Sequence, residues 1–330
     1  MEGSQEPEEG ELEPGNGFRN VIALGLVSLF TDISTEMVVG LLPSFIVEEL
    51  GGSPSILGLV NGISEAVNYS FRVVSGLISD LIGRRKVVVL IGYSISNLAK
   101  PTLYAASNWV HALAVRVIDR LGKGIRTSAR DALLAESVRG SKMGRAFGIH
   151  RTMDQTGAIL GPVLASLLIP LIGTRGVFLS SLIPGLAALL VLSLFVKERR
   201  REKIEMRGVL ENVGEALTPG LAMFLAIGAV FSIGSYSFMF VLLRARELGA
   251  PIVYVPLIYA MINVTHTILG IPAGLLSDRV GGLKALSLGY LIFSVSSAIL
   301  ASSYSVPLLL LGSLVYGAHM GVVETVQRAV

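Results

Sequence analysis

The chain of 330 residues is 52% hydrophobic and only 15% charged, against roughly 25% charged in an average soluble domain, and its mean hydropathy is +0.68. At about 20 apolar residues per crossing it accommodates roughly ten membrane-spanning helices with short loops, which leaves no room for a soluble catalytic domain and excludes most enzymes. The formal charge of +3 is spread over short loops, which argues against nucleic acid as a partner, and the absence of cysteine excludes disulfides, thiolate chemistry and cysteine metal sites.

Residues 1–17 contain six Glu with Gly and Pro and no basic stretch leading into an apolar one, so they read as a disordered acidic tail rather than a signal peptide. Apolar runs then place spans at 19–46, 55–79, 87–105, 108–125, 144–170 and 174–196. The run from Lys197 to Arg207 reads as a solvated linker across the membrane surface. Four further spans follow at 219–243, 252–277, 284–302 and 306–328. These runs are too long for strands and lack the alternation of a barrel, so helices are the backbone-satisfied solution in lipid. The expected organisation is all-α and polytopic: a tail (1–17), a six-helix bundle (18–196), a linker (197–218) and a four-helix group (219–330).

Basic residues set the orientation. With the N-terminus in the cytoplasm, inside loops carry eighteen, among them Arg84, Arg85 and Lys86, whereas outside loops carry three, Arg175, Arg244 and Arg246. This is the pattern of a multi-pass protein of the plasma or inner membrane.

Two loops repeat. Gly76-Leu-Ile-Ser-Asp80-Leu-Ile-Gly83-Arg84-Arg85-Lys86 and Gly274-Leu-Leu-Ser-Asp278-Arg-Val-Gly281-Gly-Leu-Lys284 share six of eleven positions at an offset of 198, each between two spans on the inside. A duplicated loop in each half is the trace of a transporter built from parallel halves. Gly permits the turn, Asp can accept from a facing helix N-terminus, and the cations favour the inner face; these residues are candidate gating loops.

The first loop resembles the cytoplasmic signature of the major facilitator superfamily, whose members rock two six-helix bundles against each other. With its second copy and the charged linker in register, the resemblance covers residues 19–330. The segments Phe30-Thr-Asp32-Ile-Ser-Thr-Glu36 and Asp119 to Asp131 are similar to those of a prokaryotic group of efflux permeases. Against that fold of six plus six helices, the present chain offers six plus four, so helices eleven and twelve are expected to be missing. The resemblance further implies that Asp80 would lack its partner at helix eleven, whereas Asp278 should face the start of helix five, around Gly144 to Phe147.

Ionisable groups inside spans are expensive and face a cavity or one another. Asp32 lies about a dozen residues into span one, at ~1.5 Å per residue some ~18 Å deep, with Glu36 one turn on. Glu65, Asn68 and Arg72 share one stripe of span two. Span four carries Arg116, Asp119 and Arg120, and span five His150, Arg151 and Asp154. Two readings stay open for this set: proton or substrate coupling, in which a carboxylate loads a proton on one side, or a permanent ion-pair network tying helices together. Lys100, before Pro101, is expected to snorkel to the outer surface. Asn263 and His266 occupy the places of Glu65 and Asn68 in the second half.

Gly157-x-x-x-Gly161-Pro162 combines close helix contact with a kink and resembles the fifth-helix signature of the superfamily's exporters. Gly122-Lys-Gly124 lacks the order and the preceding strand of a phosphate loop. The expected function is secondary transport, proton-coupled efflux of a small organic or drug-like solute by a monomer in the bilayer, with no cofactor and no metal. The cavity is expected between helices one, four, seven and ten, with Asp32, Glu36, Asn68, Arg116, Tyr236, Phe240, Asn263, His266 and Tyr316 as candidates, and Phe231, Phe238 and Met239 as an apolar wall or ordinary packing. Uptake of a sugar or organic anion, with Arg116 and Arg151 as clamps, and a non-transporting membrane protein remain as alternatives.

Overall fold

Polar and helix-breaking residues punctuate the apolar runs, and the helices begin and end on them. The computed structural model describes residues 16–138, 142–198 and 218–329, helical almost throughout and without a strand among the described residues. Most of the expected tail and linker, and the side chain of Asp80, lie outside the described residues.

Helix α1 (Asn16–Val39) ends in a tight turn and a π-turn, Phe45–Glu49. Helix α2 (Pro54–Ile82) starts where Ser53 accepts a hydrogen bond from the Ile56 amide and stops at Gly83, whose φ of 64° glycine adopts without strain. Helix α3 (Arg85–Ala99) runs into a 3₁₀ turn at Lys100–Ala105, and Asn108 caps α4 (Trp109–Glu136). Helix α5 (Met143–Ser180) turns at Gly173 and is followed by α6 (Leu182–Phe195). The second part comprises α7 (Pro219–Gly234), α8 (Phe238–Glu247), α9 (Val255–Val280), α10 (Gly282–Ala301) and α11 (Val306–Ala329). Six helical runs among the described residues are long and apolar enough to cross a membrane. Span seven, expected to be continuous over 219–243, breaks instead between Gly234 and Ser237, and the Ser237 side chain caps the new helix by accepting from the Met239 amide.

Packing follows the small residues. Helix α1 lies against α5 and α6, α4 against α2 and α3, and α11 against α9 and α10. A Cβ at Gly157 would stand 2.5 Å from the Leu29 carbonyl oxygen and 3.0 Å from the Asp32 Cβ, and one at Gly161 would stand 3.0 Å from the Glu36 Cβ. The Gly157-x-x-x-Gly161 stripe therefore brings the acidic face of α1 onto α5.

The two parts repeat each other in contact as well as in sequence. A Cβ at Gly124 would meet the Asn68 carbonyl oxygen at 2.6 Å, and one at Gly321 the His266 carbonyl oxygen at 2.7 Å. The Gly92 position presses on Arg126 and that of Gly289 on Val323; Gly76 neighbours Ser128 and Gly274 neighbours Thr325. Both loop glycines, Gly83 and Gly281, have positive φ, 64° and 88°.

The parts meet mainly through α5 and α9. At the end away from the basic loops, Arg246 grips Glu48 with two bonds of 2.8 and 2.7 Å, and Ser166 donates to the Val253 carbonyl. Further along, Tyr259 donates to Glu36 at 2.6 Å and Asn263 to the Ala158 carbonyl at 2.9 Å, and the Thr267 hydroxyl, which donates to the Asn263 carbonyl, lies 3.3 Å from the Gln155 amide. Towards the basic end the stripe of α5 continues through Arg151, Gly148 and Gly144, and Cβ atoms at both glycines would meet nothing within 4 Å. Asp278 is exposed and, among the described residues, has no hydrogen-bond or ion-pair partner. Asp278 and the start of α5, expected to face each other, are thus both exposed, with no bond between them among the described residues.

Candidate functional site

The cleft between the halves is built on the acidic face of α1. Where Gly157 lets the backbones touch, the carboxyl groups of Asp32 and Asp154 come within hydrogen-bonding reach. Arg151 bonds Asp154 at 2.9 Å from one turn away and lies 3.8 Å from Glu324 on α11, which also lies 3.7 Å from His266 on α9. Lys123 on α4 and Glu36 add their charges to the field at Asp32. A charged chain thus runs from α1 through α5 to α11, across the cleft.

A second cluster ties α2, α3 and α4. Arg120 pairs with Glu65 at 3.0 Å, and Asn68 donates to the same carboxylate at 3.1 Å. Arg116 and Asp119 pair at 2.9 Å with side chains 1% and 2% exposed, and Ser96 donates to Asp119 at 2.6 Å. Arg116 is buried rather than open to the cleft it was expected to line; one nitrogen bonds Asp119, and among the described residues its Nε and Nη2 have no hydrogen-bond partner. Arg72 is exposed, and its backbone carbonyl accepts from Ser128. At the basic end Arg85 pairs with Glu136, fastening the α2–α3 turn to the end of α4, while Arg84 is exposed.

Lys100 does not snorkel. It is 1% exposed, and its ammonium donates to Thr35 at 2.8 Å and Asn97 at 2.9 Å, because the 3₁₀ turn at Pro101 directs it between α1 and α3. His150 is held by Ser28 at 2.9 Å.

In the second half, Asn263 and His266 are buried on the α9 face that meets the first half. Tyr316 donates to the Tyr236 carbonyl, and Tyr236 shares a hydrogen bond with Ser297. Phe240 lies beside Gly58 at the closed end rather than in the cleft. Phe231 stacks on Tyr290 and Phe238 on Tyr259, and Met239 is fully buried, so these side chains serve packing. Pro162 is buried one residue beyond Gly161.

Sequence reasoning passed over Lys123, Tyr259 and Glu324. Two of them carry the signal of a charge within or beside an apolar run; Tyr259 carries none, since only the neighbouring helix makes it a donor to Glu36.

Two copies of one helical unit, packed alike and enclosing a charged cleft in an apolar bundle, are the build of a transporter with parallel repeats. The family model of the Major Facilitator Superfamily matches residues 24–330, and the chain belongs to this superfamily. It is 34% identical over 322 residues to an uncharacterised MFS-type transporter of Methanocaldococcus jannaschii, covering 94% of this chain and 79% of that protein. It is 31% identical over 293 residues to the multidrug resistance protein MdtG of Escherichia fergusonii, covering 85% and 71% of the two chains. Among solved structures, a bacterial homologue of the human lysosomal transporter Spinster, inward-facing and unoccupied, aligns with a TM-score of 0.73 at 18% identity, over 97% of this chain and 75% of that one. The nucleoside transporter NupG aligns with a TM-score of 0.71 at 13% identity, over 94% and 82%.

Proposed function

We propose that this superfamily member is a secondary active transporter in which a proton gradient drives export of a small organic or drug-like solute by alternating access. In this reading residues 18–196 and 219–330 are the two moving parts, 197–218 joins them, and a monomer spans the plasma or inner membrane with its N-terminus in the cytoplasm. The excess of basic residues at one end supports that orientation, so the cleft described above opens to the cytoplasm.

The observation that carries the reading is the charged chain from Asp32 and Asp154 through Arg151 to Glu324. Two carboxyl groups in contact hold one proton between them, since both charged would repel. Loss of that proton leaves two carboxylates to hold Arg151 on α5, and its return weakens that hold and frees Arg151 towards Glu324. That draws α5 and α11 together and closes the open end; loss of the proton restores the first pairing. Solute and proton then exchange because both use the same two arrangements of the halves. Export is supported by the Gly157-x-x-x-Gly161-Pro162 stripe and by the name of the MdtG relatives. The uptake reading with two arginine clamps is less well supported, because Arg116 is sealed against Asp119 and only Arg151, 41% exposed, lies on the cleft.

The test is transport in everted vesicles. An acid-inside gradient should accumulate a lipophilic fluorescent dye, and Asp32→Asn or Asp154→Asn should abolish the accumulation. Undiminished accumulation in both variants would refute the coupling, and accumulation driven by the opposite gradient would mark uptake.

A further inference from the structure

At the basic end, on the outer surface of the bundle and away from the cleft, the start of α1 and the end of α6 enclose a crevice of about 460 Å³. Arg19 and Lys197 stand at its rim, and Ile22, Leu26, Leu194 and Phe195 form its walls. The wall residues are turned outward: Ile22 is 44% exposed, Leu194 67% and Phe195 62%. From Arg19 to Leu26 the crevice follows two turns of α1, about 10 Å, from the level of the headgroups into the hydrocarbon.

The backbone beside the crevice is pinned, while among the described residues nothing neutralises the two cations. Asn20, 3% exposed, donates to the Lys197 carbonyl at 3.1 Å and accepts from the Lys197 amide at 2.9 Å, which pins the end of α6 beside the start of α1. Those bonds use the backbone of Lys197 only. Among the described residues, neither its ammonium nor the Arg19 guanidinium has a carboxylate or hydrogen-bond partner. A neighbouring groove shares Leu194 and Lys197 and adds Arg84 and Lys86; its one carboxylate, Glu198, accepts from the Lys86 amide at 3.0 Å.

We propose that this crevice binds an anionic phospholipid, with the lipid phosphate between Arg19 and Lys197 and an acyl chain along Ile22, Leu26, Leu194 and Phe195. Charge complementarity selects the occupant. Uncompensated cations at headgroup level favour a lipid with net negative charge by roughly fivefold each, whereas a zwitterionic headgroup brings an ammonium of its own. The apolar walls favour a lipid over a free anion, which would leave them unfilled.

The chain contains one Trp, Trp109 at the opposite end, so Phe195→Trp in a Trp109→Phe background places a single reporter in the crevice. In vesicles of phosphatidylcholine carrying equal fractions of brominated phosphatidylglycerol or brominated phosphatidylcholine, the brominated phosphatidylglycerol should quench at several-fold lower mole fraction. The double variant Arg19→Gln/Lys197→Gln should remove that preference, and Arg175→Gln/Arg244→Gln at the opposite end should leave it. Native mass spectrometry of the unsubstituted chain, counting retained phosphatidylglycerol against phosphatidylcholine, reads the same preference without a reporter. Equal retention of the two lipids, as for a crevice filled by another part of the chain or by bulk lipid, overturns the proposal. So does a preference that survives loss of both cations.

Discussion

Gly157 and Gly148 lie on opposite faces of α5 and should respond to the same substitution in opposite ways. A methyl group at 157 would stand 2.5 Å from the Leu29 carbonyl oxygen, so α1 and α5 must separate by roughly 1 Å to reach ordinary contact. Overpacking of this kind costs about 1–3 kcal/mol, offset by up to ~1 kcal/mol of helix propensity gained on replacing glycine. Gly157→Ala should therefore lose about 1–2 kcal/mol, and its shift of Asp32 away from Asp154 should weaken transport as well. At 148 nothing lies within 4 Å; Gly148→Ala should leave stability unchanged or raised by up to ~1 kcal/mol. If the open end closes during the cycle, α9 comes against this face, and Gly148→Leu should block transport in a protein that unfolds at the same temperature as the parent. Thermal unfolding in detergent and dye transport in vesicles give the two readouts. A Gly157→Ala chain as stable as the parent would refute the close α1–α5 approach. Normal transport by Gly148→Leu would refute closure at the basic end.

Asp119→Ala leaves Arg116 buried without its counter-charge and should destabilise by about 3–5 kcal/mol. The double variant Arg116→Met/Asp119→Leu should regain much of this, and denaturation curves showing the two equally unstable would contradict the pairing. Glu48 and Arg246 form a partly exposed pair worth up to about 1 kcal/mol. Arg246→Ala should accordingly raise the open population at that end by up to fivefold, read as faster labelling of Ala250→Cys by an impermeant maleimide in this cysteine-free chain; an unchanged rate would show that the pair does not hold the halves. Glu324→Gln and Arg151→Gln should each reduce proton-driven transport while leaving solute binding in place, and the exchange Arg151→Glu/Glu324→Arg should recover part of it. Full transport by either single variant would remove Arg151 from the coupling route.

The membrane class, the helices and the duplicated loops were legible in the sequence because each rests on local information. Twenty apolar residues in a row cannot satisfy their backbone in lipid except as helix, and a turn with positive φ keeps its glycine in both copies, at Gly83 and Gly281. The close contact promised by Gly157 and Gly161 was also readable, since only small residues permit it. The break at Ser235–Ser237 was hidden by the apolar residues on both sides, which hydropathy averages together.

Which partner each charge takes was decided by tertiary structure alone. Hydropathy and periodicity place Lys100, Arg116 and Arg151 alike inside or beside spans, yet Lys100 is buried against Thr35, Arg116 is sealed by Asp119, and Arg151 reaches across to Glu324. A sequence states which residues share a face of a helix, but the neighbour packed on that face comes from over a hundred residues away, as with Asp32 and Asp154 or Glu36 and Tyr259. The energy of a charge in a membrane protein depends on that neighbour. The order of the helices could therefore be read along the chain, whereas the partners of the charges, and the opening of the cleft at one end, exist only once the halves have packed.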